Sequence, residues 1–200
     1  MLKIIGKDTS INVRKVLWTC RELGLPFERE DWNPEHARLN PNALVPVLVD
    51  EGFVLWESNT ICRYLCNRHG ATALLPREAG ARARVEQWMD WVAYDMTFAM
   101  KGAYLGGELG LEPWAHPLFV AQGRAEYATR MGQLDATLAV GGPWLAGEGF
   151  TLADIPAGFV VHRWFSLRGV ERPGMPALSA YYGRLSERPA YRAHVRNGLP

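Results

Sequence analysis

The stretch NPNALVPVLVD, Asn40 to Asp50, sets a proline between two valines where a buried strand should begin. Val47-Leu48-Val49 reads as strand. Proline has no N–H to give a ladder, so Pro46 belongs at a strand's first residue, at an edge or at a bulge. Two readings follow. In one, the Val45–Pro46 bond is trans and marks an ordinary strand start. In the other it is cis, a form open to bonds before proline. The Val45 N–H and C=O then turn away from the ladder, where an extended peptide ligand can pair with them.

Upstream, LKIIG (Leu2–Gly6) is a short apolar strand closed by the polar turn KDTS. From Asn12 the chain reads as a helix, because Val13, Val16, Leu17, Cys20 and Leu23 recur at steps of three and four. Gly24 ends it and Pro26 prevents its continuation. Phe27 to Asp31 is a second strand. Downstream, Val47–Asp50 and Val54–Trp56 flank EGF, a hairpin signal with glycine in the turn. Ser58 then opens a helix carrying Ile61, Tyr64 and Leu65, with Gly70 as its stop. A helix crossing between the first two strands makes them parallel, and the hairpin is antiparallel. The expectation is a mixed four-stranded sheet in a domain of residues 1–75. Residues 76–84 are the linker and the start of the next helix, inside a stretch of proline and small residues.

Residues 85–200 show almost no period of two and predict an all-helical domain. Helical spacing runs through Ala81–Leu105, Leu118–Val140, Leu152–Leu167 and Ala177–Val195. Trp88, Trp91, Val92 and Asp95 give the first of these an aromatic stripe. YLGGELG (Tyr104–Gly110) is no dinucleotide fingerprint, since no strand precedes it. In FTLADI, Thr151 and Asp154 read as a reciprocal capping box, with Phe150 and Ile155 as its hydrophobic staple. That is a folding device and not a site.

Composition narrows the partners. The 200 residues carry 22 Lys plus Arg against 21 Asp plus Glu, a net charge of +1, with 48% apolar residues. This balance suits a globular chain with a real core and gives no electrostatic reason to expect nucleic acid or an anionic membrane. No apolar run approaches the roughly 20 residues that span a bilayer. The N-terminal apolar stretch is too short for a signal peptide, so a cytoplasmic protein is expected. Cys20, Cys62 and Cys66 read as small packing residues. No histidine stands at ligand spacing near the last two, so no metal is expected. His69, His116, His162 and His194 read as surface or helix-end residues.

Two helix starts carry the chemistry. Glu57-Ser58 lies where the fourth strand meets its helix. Free N–H groups and the positive end of the dipole suit a carboxylate there, the Ser58 hydroxyl adds a donor, and Glu57 can hold an ammonium. An α-amino acid head group needs both charges met at once. Taken alone, Ser58 is also an ordinary N-cap. DTSIN (Asp8–Asn12) occupies the matching junction after the first strand, where a hydroxyl can donate to a thiolate. A free thiol with a pKa near 8.5 is only about 3% ionised at pH 7, and lowering it by two units needs about 2.7 kcal/mol. A charge-assisted hydrogen bond of roughly 1.5–3 kcal/mol plus a helix end of up to ~2 kcal/mol suffices, with no metal and no separate base.

SINVRKVLWTCRELGLPFE, NPNALVPVLVD and FVLWESNTICRYL, followed by WLAGEGFTLADIPAG and MPALSAYYGRLSERPAY, together resemble the cytosolic glutathione transferases over essentially the whole chain. The resemblance implies a thioredoxin-like N-terminal domain, a helical C-terminal domain and a homodimer. It implies a glutathione S-transferase of the bacterial, theta-like, serine type, used in detoxification, with glutathione as co-substrate and a small hydrophobic electrophile as second substrate. By that match Val45, beside a cis Pro46, lends its backbone to the cysteinyl part, and Glu57 and Ser58 hold the γ-glutamyl end. Ser10 is the first candidate for the thiolate donor and Thr9 the second, and Asn12 can donate as well. The turn holds no tyrosine and no cysteine, which disfavours tyrosine-type and thiol-transferase mechanisms. Many relatives carry a basic residue just before the valine. Leu44 stands there, so His36 or Arg38 is expected to meet the glycyl carboxylate instead. The second substrate is expected between the domains, with Trp91, Tyr94 and Met100 lining it and Met96 and Phe98 as further candidates. The same scaffold also serves glutathione-dependent reductases and isomerases, and non-catalytic binding or interaction proteins.

Overall fold

The computed structural model describes residues 1–198. Two compact units divide the chain, one of Met1–Glu78 together with the residues from Arg188 onward, the other of Ala79–Glu187.

In the first unit, β1 (Leu2–Ile5), α1 (Ile11–Glu22), β2 (Phe27–Glu30), β3 (Val47–Asp50), β4 (Phe53–Trp56) and α2 (Ser58–Arg68) follow one another, with a 3-10 turn at Pro34–Leu39. The sheet order is β2-β1-β3-β4, with β1 and β2 parallel and the other pairs antiparallel. This is the mixed sheet that the strand–helix–strand–hairpin order requires. The hairpin turn is tighter than the sequence suggests. Phe53 already pairs with Asp50, so only Glu51 and Gly52 lie between the strands, at φ of 50° and 90°. Positive φ at both central residues matches the right-handed twist of the flanking strands. Gly24 and Gly70 sit at φ of 65° and 66° just past α1 and α2. Leu25 N–H returns to Cys20 C=O and Ala71 N–H to Cys66 C=O, both at 2.9 Å, so the last carbonyls of each helix are satisfied.

The apolar face of α1 is buried as the spacing predicts, but the helix is buried on other sides as well. Arg14, Lys15, Trp18 and Thr19 are enclosed along with Val13, Val16, Leu17 and Cys20. The reason is a second helix. The spacing over Ala177–Val195 breaks at Arg188, giving α6 (Pro176–Glu187) and α7 (Pro189–His194), and α7 packs on α1 in the first unit. Tyr191 meets Trp18 with ring centroids 5.2 Å apart, and Arg188 Nε donates to Glu22 Oε1 at 3.0 Å.

The second unit holds α3 (Ala79–Met100), a π-turn at Lys101–Gly106, α4 (Pro117–Gly141), α5 (Asp154–Ser166) and α6. The buried positions of α3 are Val85, Met89, Met96 and Ala99, not the tryptophan stripe; Trp88 and Trp91 are half-buried and meet edge to face at 5.4 Å. The glycines near YLGGELG allow close backbone approach. A Cβ on Gly102 would lie 2.3 Å from Phe119 O, and one on Gly123 would lie 2.6 Å from Ala103 N.

α5 begins at Asp154 with Ala153 as its N-cap, so Thr151 stands two residues before the cap and not at it, although Asp154 Oδ2 still accepts from Thr151 N–H at 2.8 Å. The reciprocal bond differs: Thr151 Oγ accepts from Ala153 N–H at 3.3 Å, while Asp154 N–H goes to Thr151 C=O. Asp154, fully buried, also accepts from Leu145 N–H at 3.1 Å and Tyr181 O–H at 2.9 Å. Sequence spacing shows the first of these bonds and cannot show the other two, whose donors come from distant positions. Asp154→Ala strands four buried donors, the Thr151 hydroxyl at 3.3 Å among them, and is expected to lower stability by about 3 kcal/mol, against about 1 kcal/mol for Thr151→Ala. Urea unfolding of both variants checks the order, and equal losses would refute it.

Candidate functional site

Strand order decides which loops meet. Ile5 at the end of β1 pairs with Val47 at the start of β3, and Val47 pairs with Trp56 at the end of β4. The turn into α1, the loop before β3 and the turn into α2 therefore share one edge of the sheet. These carry Thr9, Ser10 and Asn12, then Val45 and Pro46, then Glu57 and Ser58.

Ser10 is the N-cap residue of α1 in extended conformation, and its hydroxyl makes no capping hydrogen bond. Ser10 C=O accepts from Arg14 N–H at 2.9 Å and Ser10 N–H donates to Lys7 C=O at 3.1 Å, so the backbone is fixed while the half-buried hydroxyl is uncommitted among the described residues. Thr9 is exposed. Asn12 Oδ1 accepts from Ser58 Oγ at 3.4 Å, which ties the two helix starts together.

Ser58 is not the N-cap of α2. Glu57 holds that position at φ 72°, a left-handed conformation that is uncommon outside glycine, and Ser58 is the first helical residue. Ile61 N–H to Glu57 C=O, 2.8 Å, is the first bond of the helix, so the N–H groups of the turn before it have no intrahelical partner. Glu57 is exposed and Ser58 buried.

The Val45–Pro46 bond is cis. Val45 lies outside β3, and among the described residues its N–H and C=O pair with nothing. Asn40, buried, shapes the loop before it by donating from Nδ2 to Leu44 C=O at 2.8 Å and accepting from Asn42 N–H at 3.0 Å. Gly6 lets that loop reach α1. It sits at φ 146°, and a Cβ there would lie 2.4 Å from Val13 Cγ2 and 2.9 Å from Val45 Cβ.

Of the two expected cations, His36 is committed elsewhere. Its Nδ1 accepts from Asn33 N–H at 3.1 Å, and its Nε2 lies 3.2 Å from Glu30 Oε1. Arg38 is exposed and without a hydrogen-bonding or ionic partner among the described residues. Trp91, Tyr94 and Met100 lie on α3; Tyr94 is 80% exposed, and the other two are half-buried. Met96 is fully buried in the helical unit's core, which removes it from the wall residues. His69 follows α2, His116 caps α4, and His194 closes α7, where burial together with Arg21 and Arg14 lowers its pKa to about 4.

The sequence reading missed a second row of bonds behind the site. Lys15, buried, donates from Nζ to Asn59 Oδ1 at 3.2 Å, and Thr19 Oγ donates to Cys62 Sγ at 3.1 Å. Burial pushes the Cys62 thiol up and the Cys20 thiol up to about 12, and all three cysteines are free. Packing thiols are the result.

A thioredoxin-like sheet unit and a helical unit, with two helix starts and an unpaired valine backbone at one end of the sheet, define the class of two-unit chain to which this one belongs. The chain belongs to the glutathione S-transferase family: the family's N-terminal domain profile matches residues 9–68 and its C-terminal domain profile residues 120–189. It is 33% identical over 205 residues to glutathione S-transferase GstB of Escherichia coli (strain K12), covering 98% of each chain. Glutathione S-transferase 3 of Zea mays is 29% identical over 97% of this chain and 93% of its own. The theta class glutathione S-transferase of Xanthomonas axonopodis pv. citri, solved with glutathione bound, aligns with a TM-score of 0.86 at 36% identity, over all of this chain and 99% of that one.

Gly6→Ala is expected to lower stability by about 1–3 kcal/mol through overpacking. Val13→Ala, which removes the atom nearest the new methyl, should recover part of that loss, so a double-mutant cycle reads a favourable coupling. Strict additivity would dissociate Gly6 from the Val13–Val45 approach.

Proposed function

We propose that this chain binds glutathione along the shared sheet edge, ionises its thiol with Ser10, and presents the thiolate to an apolar electrophile. The observation that carries the reading is the Ser10 hydroxyl: it stands at the start of α1, held by its own backbone bonds, and spends nothing on capping. A donor fixed before the ligand arrives needs no reorganisation when the charge forms. Val45 offers an unpaired N–H and C=O for the cysteinyl backbone. The first turn of α2 offers N–H groups to the γ-glutamyl carboxylate, with exposed Glu57 for its ammonium. Asn12, with its oxygen on Ser58, has its amide N–H₂ left as a second donor, and Thr9 is the reserve hydroxyl. Arg38 is the remaining cation for the glycyl carboxylate. Trp91, Tyr94 and Met100 are the candidate wall for the electrophile. A homodimer and a cytoplasmic location go with this reading; no helix among the described residues is long and apolar enough to cross a membrane.

Catalysis on these terms is thiolate stabilisation plus proximity. A reductase working through the protein's own thiols is not favoured, because Cys20, Cys62 and Cys66 are buried and both resolved shifts raise the thiol pKa. Calorimetric titration of glutathione, with ultraviolet detection of bound thiolate, tests the proposal. Ser10→Ala should keep binding, lose the thiolate signal near neutral pH and lower kcat by about 30-fold, the worth of one charge-assisted hydrogen bond. An unchanged signal would move the role to Thr9 or Asn12. No binding by the native chain would sink the transferase reading.

A further inference from the structure

Lys15 lies in α1 among the residues that face the sheet, α2 and α7, and it is buried. A buried ammonium is among the least favourable groups a core can hold, and it needs partners to remain charged. Among the described residues no carboxylate lies within ion-pair distance of it. Its Nζ donates to Asn59 Oδ1, in the first turn of α2, at 3.2 Å. The charged and titratable groups facing it are Glu57 at the N-cap of α2 and Cys62 and Arg63 within α2. Burial brings its pKa down to about 8, while Glu57 and Cys62 pull it back up. The ammonium thus persists at neutral pH beneath the one helix end assigned to an amino-acid head group.

We propose that Lys15 is a positioning residue for the γ-glutamyl end of glutathione, its buried charge anchoring the first turn of α2 through Asn59 and adding positive potential behind the N–H groups that receive the ligand's α-carboxylate. This rests on the glutathione reading above. Three observations meet in it: a charge with no acid paired to it, a direct bond to the turn that binds, and a neighbouring N-cap residue in a conformation that needs support, Glu57 at φ 72°. The sign with pH is fixed. A carboxylate bound above the helix end favours the ammonium, so binding takes up proton where Lys15 is partly neutral. Affinity therefore falls as pH rises through about 8.

The test uses S-methylglutathione, whose blocked thiol cannot titrate, in calorimetry on the native chain and on Lys15→Met. Methionine is close in volume to lysine, and the replacement leaves no uncompensated charge in the core. At pH 7 Lys15→Met should bind about tenfold more weakly, and the ratio of the two Kd values should shrink toward one by about pH 9.5 as the native lysine loses its proton. The ligand's own amino group titrates alike in both arms and cancels in the ratio. With the γ-glutamyl α-carboxylate amidated, the two proteins should bind equally. Asn59→Ala keeps the charge and removes its anchor, so it should bind several-fold more weakly while the affinity still falls through the same pH. Equal Kd values for native and Lys15→Met at pH 7, or a ratio that does not move with pH, overturn the role of Lys15 and leave the transferase reading standing. A native chain that fails to bind S-methylglutathione overturns both.

Discussion

Everything at the candidate site depends on α1 and α2 being held start to start. Three side-chain bonds do this along one face of α1, at steps of three and four: Asn12 to Ser58, Lys15 to Asn59 and Thr19 to Cys62. Apolar contact between the helices supplies most of the adhesion, since Val16, Cys20, Ile61 and Leu65 are all buried. Apolar contact tolerates a sliding register; a hydrogen bond does not. Each bond contributes only about 1 kcal/mol net. A slipped register would take the buried Ser58 and Lys15 away from these partners, so register is enforced by the penalty for misalignment. The thiol end and the amino-acid end of one small ligand are a fixed distance apart, and the two helix starts must match it.

The third corner is set differently. Val45 reaches the same edge because β3 runs antiparallel to β1, bringing the start of one beside the end of the other. Gly6 then leaves room for the loop against α1, where a Cβ would meet both Val13 and Val45. Pro46 stands just before β3, where the ladder asks nothing of it, and Val45 is left with a backbone donor and acceptor to offer.

The sheet was legible because its signals are local. Apolar runs, a glycine in the hairpin turn and glycine stops after two helices are each written within a few residues, and they specify strand order once the parallel crossover is recognised. The site's outline was legible for a related reason: hydroxyls at helix starts and a proline before a strand have few other uses in combination. The misses share a cause. Trp18 and Tyr191 are 173 positions apart in sequence, and no period connects them. Lys15 carries a charge, and spacing rules place charge on a solvated face; its burial follows from α2 and α7 closing over α1, which only the fold shows. The tryptophans of α3 stand out in the sequence as an aromatic stripe, yet the residues that the helix buries are Val85, Met89, Met96 and Ala99.

On the proposed reading, the two ends of glutathione are treated unequally. The γ-glutamyl end meets a helix terminus and an acidic side chain, with a buried ammonium beneath. The glycyl end meets a loop in which Leu44 is 65% exposed and His36 is already held by Asn33 and Glu30. An exposed arginine such as Arg38 offers a carboxylate at most about 1 kcal/mol, screened by salt. Recognition then concentrates where groups are buried and preorganised. The ligand is gripped by its amino-acid head and its cysteinyl backbone, and the sulfur is placed at Ser10 by the distance between those two points. A ligand shortened at the glycine would keep most of its affinity under this arrangement, and one altered at the γ-glutamyl group would lose it, so discrimination resides in the two helix starts that the side-chain bonds of α1 hold together.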